Sequence, residues 1–104
     1  MAADSVTAIA LNNLATLYPD MGDYARAEPL WRRTIAIWEK SLDPGHPNMA
    51  HSLNSLASLY KDIGDYARAE SLFKRSLAIR EKTFGPDHPD TAASLNNLSL
   101  HYRD

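Results

Sequence analysis

Apolar residues recur in steps of three and four along nearly the whole chain. Ala10, Leu11, Leu14, Ala15, Leu17 and Tyr18 share one broad face of a helix, and Ala27, Leu30, Trp31, Thr34, Ile35 and Ile37 share the face of a second. Between them stands Gly22-Asp23. A glycine there takes positive φ just past a helix end, and an aspartate accepts hydrogen bonds from the first free N–H groups of the next helix. So short a junction folds the pair into an antiparallel hairpin. Ala15 and Ala27 are small where the axes should approach, with Leu14, Tyr18 and Trp31 filling the space around them. The same pattern continues downstream and predicts five helices, over 5–20, 24–41, 47–62, 66–83 and 89–103, with no strand. In the second hairpin, Leu56, Tyr60, Ala69 and Phe73 are the expected core.

The pattern is periodic on a longer scale too. Leu11-Asn12-Asn13-Leu14-Ala15 returns as Leu53-Asn54-Ser55-Leu56-Ala57 and as Leu95-Asn96-Asn97-Leu98-Ser99, each after 42 residues. Gly22 to Glu28 is repeated unchanged as Gly64 to Glu70, and residues 8–62 laid over 50–104 agree at 31 of 55 positions without a gap. A fixed period of this size means one supersecondary unit stacked on copies of itself. The expected fold is an all-α, right-handed α-solenoid of antiparallel helical hairpins. It forms a single domain over 1–104, with repeats at about 5–46, 47–88 and a partial 89–104. Asp43-Pro44-Gly45-His46-Pro47 and Gly85-Pro86-Asp87-His88-Pro89 join the units. Pro47 and Pro89 suit first helical positions, while Pro44 and Pro86 cannot continue the helices before them, so stiff joints are expected.

Composition narrows the function classes. Net charge is −2 with basic and acidic residues interspersed, which gives no footprint for nucleic acid. No apolar run approaches the ~20 residues that span a bilayer. Cysteine is absent, and the start Met-Ala-Ala-Asp-Ser lacks the basic and apolar parts of a leader, so a cytoplasmic location is expected. No pair among His46, His51, His88 and His101 has the spacing that aims two imidazoles at one ion. His46 and His88 read as helix-start contacts. No Ser/His/Asp set, phosphate loop or convergent carboxylate pair is present, and neither catalysis nor a cofactor is expected.

The period, the Gly-Asp-Tyr junction and the Ala/Trp or Ala/Phe pairs resemble the tetratricopeptide repeat family. The Leu-Asn-Asn-Leu-Ala phrase, Ala78-Ile79-Arg80-Glu81-Lys82 and Gly85-Pro86-Asp87-His88-Pro89 are similar to its longer variant in kinesin light chains and many bacterial repeat proteins. The likeness runs from about Val6 to Asp104. It implies that the first helices line a concave face that holds protein or peptide, with the first asparagine of each phrase facing the groove. Asn12, Thr16, Asn54, Ser58, Lys61 and Asn96 are the candidate peptide-binding residues, with Ile9 and His51 beside them. The bland alternative is that these side chains bond to neighbouring helices or to water. Asn13 and Asn97 read as packing residues. A carboxylate clamp is not expected, because Asn12, Thr16, Asn54, Ser58, Asn96 and Leu100 are uncharged where that mode needs Lys or Arg, and Asp20, Asp62 and Asp104 offset the charge that Lys61 and Arg103 add at the helix ends.

Several positions break the repeat. Pro19 stands where Lys61 does and is expected to distort the helix near Ala15 to Tyr18. Pro29 replaces Ser71 and should bend the second helix slightly. Trp38 replaces Arg80, giving either a partly exposed aromatic or one packed under the next helix. The chain starts at a repeat boundary and stops before a third Gly-Asp-Tyr, which reads as a piece of a longer array. The last helix should expose Leu95, Leu98 and Tyr102, with Ser99 and His101 as partial polar compensation. Hence the alternative function is self-assembly through uncapped ends, with a homodimer as its form.

Overall fold

The computed structural model describes residues 2–20, 22–41 and 47–103, and all its regular elements are helices: α1 (Ala2–Asp20), α2 (Tyr24–Ser41), α3 (Pro47–Asp62), α4 (Tyr66–Phe84) and α5 (Pro89–Arg103). They form two antiparallel hairpins and one further first helix, the half-turn units of a right-handed solenoid. The joint at Asp43, Pro44, Gly45 and His46 lies outside the described residues.

Three residues, Ile63, Gly64 and Asp65, turn the second hairpin. At the end of α3, the Asp65 N–H donates to the Tyr60 carbonyl at 2.8 Å and the Gly64 N–H to that of Lys61 at 3.1 Å. This pair of bonds satisfies carbonyls that the helix end would leave open, and it needs a left-handed residue between them. Gly64 supplies it with φ of 89°, as Gly22 does with 77°. Asp65 then starts α4: its Oδ1 accepts from the Arg68 N–H at 3.3 Å. Asp23 does the same for Arg26 at 3.2 Å. One aspartate thus closes one helix and opens the next.

The core follows from the close approach these turns impose. Ala15, Ala27, Ala57 and Ala69 are fully buried, and Trp31, Phe73, Leu56, Leu59 and Tyr60 pack around them. Leu14 departs from expectation. It is 42% exposed, whereas its repeat counterpart Leu56 is 4% exposed. The difference lies in the neighbour: α2 covers the Leu56 side of α3, and no described helix covers that side of α1. Tyr18 is half-buried for the same reason. Leu98 departs in the opposite sense, being 8% exposed and packed into the core, while Leu95 and Tyr102 on the same helix are open. His101 is no polar cap either. It is buried, with its ring 5.6 Å from that of Phe73 and 5.8 Å from that of Tyr66.

The prolines disturb less than expected. α1 continues as helix through Pro19, and α2 runs unbroken through Pro29, whose ring is exposed. Pro29 stands in the second turn, so only the bond to the Ala25 carbonyl is lost. Side-chain hydrogen bonds span the α4–α5 joint. The Thr91 hydroxyl lies 2.8 Å from the Gly85 carbonyl and 3.1 Å from that of Arg80, tying the start of α5 to the end of α4. Beside it, His88 Nδ1 accepts from the Asp90 N–H at 3.0 Å and its ring stacks on Phe84 at 4.2 Å, which is the helix-start role expected of it.

Candidate peptide-binding groove

A helix turns about 100° per residue, so positions 51, 54, 55, 58 and 62 of α3 form one stripe. With α1 beside it, this stripe lines two adjoining depressions. One, of about 260 Å³, is walled by Thr16, Asn54, Ser55, Ser58 and Asp62, with Trp31 beneath. The other, of about 270 Å³, is walled by Ile9, Asn12, Asn48 and Ser52, with Trp38 beneath. His51 borders both and makes them one trough. Four of the six candidate residues, Asn12, Thr16, Asn54 and Ser58, therefore meet along it. Lys61 is half-buried in the last turn of α3, and Asn96 is exposed on α5; neither lines the depressions.

The asparagines also tie the repeats together. Asn12 Oδ1 accepts from the Ser52 hydroxyl at 3.3 Å, joining α1 to α3. Asn54 Oδ1 accepts from Asn97 Nδ2 at 3.2 Å, joining α3 to α5. Asn97 is thus the inter-repeat contact expected of it. Each bond uses the amide oxygen of the groove asparagine and orients its NH₂ group, which carries two hydrogens to donate. Thr16 turns its hydroxyl to the Asn12 carbonyl at 2.8 Å within α1. The trough consequently offers amide donors and hydroxyls held in place by neighbouring helices, a surface suited to a backbone with both N–H and C=O groups.

Its one titratable nitrogen base is His51. Burial, and secondarily the Arg80 guanidinium, hold its pKa below the ordinary 6.5, so the ring is neutral at neutral pH and can both donate and accept. The aromatic floor was less legible in the sequence. Trp38 is 3% exposed and occupies the seat that Arg80 occupies one repeat later. There, Arg80 Nη1 donates to the Ser94 hydroxyl at 2.7 Å. Trp38 instead lies beside Ser52 and Asn48, the counterparts of Ser94 and Asp90, and packs under the adjoining helix. The break in the repeat was the available signal; its consequence for exposure was not. Among the described residues no group of three or more potential metal ligands occurs, and no helix is long and apolar enough to cross a membrane.

Comparison with known proteins supports this architecture. Residues 6–82 and 54–104 match the family described as Tetratricopeptide repeat. A search of curated proteins found no match. Among solved structures, a Podosopora anserina protein of kinesin light chain type, with nearly identical TPR-like repeats, is 30% identical with a TM-score of 0.85, covering 92% of this chain and 46% of that one. A point variant of that protein gives 30% and 0.84. BtubC (BKLC) from P. vanneervenii is 26% identical with a TM-score of 0.85, over 92% of this chain and 39% of that one. The chain thus spans less than half the length of these structures. Repeats of this kind generally mediate protein–protein interaction and are typically non-catalytic. On the match over nearly its whole length, the chain belongs to the tetratricopeptide repeat family, with repeats of the kinesin-light-chain-like kind.

Proposed function

We propose that this chain is a non-catalytic scaffold that holds a protein or peptide segment along the trough between α1 and α3. The observation that carries the reading is the convergence of Asn12, Thr16, Asn54 and Ser58 on adjoining depressions that share His51. Lys61 and Asn96 extend the proposed contact towards the ends of α3 and α5. Asn54 and Asn12 supply oriented amide donors, and His51 stays neutral. The ligand is an extended, largely uncharged stretch of backbone rather than an acidic tail. The proposed setting is the cytoplasm.

Selection of a random peptide library on the immobilised chain tests this reading. Enriched peptides should bind the Asn54→Ala variant more weakly by about 1–3 kcal/mol, the cost of stranding a desolvated partner group. Because Asn54 also receives the Asn97 bond, Ser58→Tyr is the cleaner companion: Ser58 is exposed, and a ring there fills the depression without touching an inter-repeat bond. Peptides that bind both variants as well as the parent chain would place the ligand elsewhere and end the proposal.

A second reading has its own observation. Val6, Ile9, Leu14 and Leu17 on α1 and Leu95 and Tyr102 on α5 are all exposed by 42% or more. In repeat two the counterparts of Leu14, Leu17, Leu95 and Tyr102 are each buried to within 4%. Apolar ends of this kind favour association with a second copy as a homodimer. Leu98 is not part of this surface, so Leu95→Glu, not Leu98→Glu, is the variant expected to shift a self-associated chain to monomer in light scattering. A parent chain that stays monomeric at high micromolar concentration would remove the second reading.

A further inference from the structure

The two depressions of the trough are not alike. Ile9 and Trp38 give the one at the start of α3 an apolar lining. The one at the end of α3 is lined by the hydroxyl-bearing Thr16, Ser55 and Ser58 and by Asp62. Among the described residues Asp62 is the one charged side chain that lines either depression, since His51 is neutral at neutral pH. We infer that the trough takes an extended peptide segment with a large apolar residue and, four residues away, a lysine or arginine whose cation is held by Asp62. This specificity rests on the groove reading, because without a segment in the trough Asp62 has nothing to select.

Asp62 stands where a helix has least use for a carboxylate. It is the last residue of α3, at the negative end of the helix dipole, so its charge opposes the helix instead of supporting it. Asp20 and Asp104 hold the same repeat position, yet Asp62 is exposed and takes part in no ion pair or side-chain hydrogen bond among the described residues. Lys61, one residue back and about 100° round the helix, lines neither depression and has a partner of its own. At the other end of the trough the Arg80 guanidinium acts on His51, so the field falls from positive at the start of α3 to negative at its end. That gradient seats a cation at one end only. Ser52 and Asp62 are ten residues apart (62 − 52), about 15 Å along α3. Four residues of extended chain span about 13 Å and return the side chain to the same face, so an apolar residue and a base at that spacing both face the trough. The floor asks for a peptide as well. Trp31 and Trp38 are 2% and 3% exposed, and neither indole N–H has an acceptor among the described residues. Phe73 fills the seat of Trp31 one repeat on, so packing alone does not call for the N–H. Carbonyl groups of a bound segment, reached directly or through water, give these stranded donors their partners.

The test is a titration of the ¹⁵N-labelled full chain, followed by its two indole N–H signals. The probes are N-acetyl-Leu-Ala-Ser-Ala-Lys-amide and its reversed sequence, each against the analogue with norleucine in place of lysine. Trp31→Phe assigns the signals. One lysine peptide should give saturable shifts of both. Its affinity should fall roughly fivefold with norleucine and roughly fivefold in Asp62→Asn, the size of one partly exposed charge pair. Asp62→Asn should melt no lower than the parent chain, because it removes a carboxylate from the negative end of α3. Ser58→Tyr should abolish the shifts. The proposal is overturned if the lysine and norleucine peptides bind alike, or if Asp62→Asn binds the lysine peptide as tightly as the parent chain does; saturable indole shifts in those cases leave the groove reading standing. Equal binding of N-acetyl-lysine amide overturns it too, by making the depression a small-cation site. No saturable shift with any of these peptides at millimolar concentration also overturns it, while the library selection judges the groove itself.

Discussion

Leu95 and Leu98 lie three residues apart on α5 and occupy repeat positions whose counterparts, Leu53 and Leu56, are both buried, yet they should behave differently on truncation. Leu98 is 8% exposed and Leu95 54% exposed. Leu98→Ala forfeits burial worth about 1.5–3 kcal/mol, and the cavity left behind raises the typical cost to about 2–5 kcal/mol. Because α5 packs chiefly on α4, its surroundings can relax, and the lower half of that range applies: about 2–3 kcal/mol. Leu95→Ala removes a side chain already half in water and should cost no more than about 0.5 kcal/mol. Urea unfolding followed by circular dichroism measures the totals. Amide exchange within α5 measures whether the loss is local, as expected for an array whose repeats contact only their neighbours. Equal costs at every protein concentration would refute the packing asymmetry. A Leu95→Ala cost that grows with concentration would show instead that a second copy covers Leu95.

Other consequences are equally direct. Gly64→Ala should cost about 1–2 kcal/mol, because φ is 89° and no heavy atom lies within 4 Å of an added Cβ; a thermal-melt loss well above that would mean a steric clash and not backbone strain. Asp65→Ala should cost about 1 kcal/mol through the lost cap of α4, and Asp65→Asn should recover most of it in the same melts. His51 stays neutral in the folded chain to a lower pH than in the unfolded chain, where it titrates near 6.5. Its contribution to stability is therefore present above that value and lost as the pH falls below it. Urea midpoints should drop on mild acidification and drop less in His51→Gln; a stability that rises with acid would reverse the assignment. Trp38→Arg should cost less than the about 3–5 kcal/mol of Trp38→Ala, since Ser52 and Asn48 stand where Ser94 and Asp90 meet Arg80; equal losses by urea unfolding would show that the two seats are not interchangeable.

Periodicity made the helices legible because it is a local property. The 42-residue return places Gly22 and Gly64, Asp23 and Asp65, and each alanine pair at equivalent points of the unit, and backbone chemistry does the rest. Burial is not local. The phrase leucine at the fourth position is 42% exposed in α1 as Leu14, 4% in α3 as Leu56 and 8% in α5 as Leu98. The letter is the same in all three; what differs is which helices flank it, and no single repeat encodes that. The same distinction separates the groove from the crevice of about 400 Å³ that α2 and α4 leave over Leu53, Leu56 and Tyr60. The groove asparagines announce themselves by recurring, and their inter-repeat bonds follow from stacking like on like. The crevice draws Arg32 from one repeat and Arg68 and Arg75 from the next, and the counterpart of Arg32 is Lys74, which turns to Glu70 at 2.8 Å. A cavity assembled across a repeat boundary from residues that do not all recur has no signature in the period, so only their meeting over Tyr60 in the folded chain discloses it.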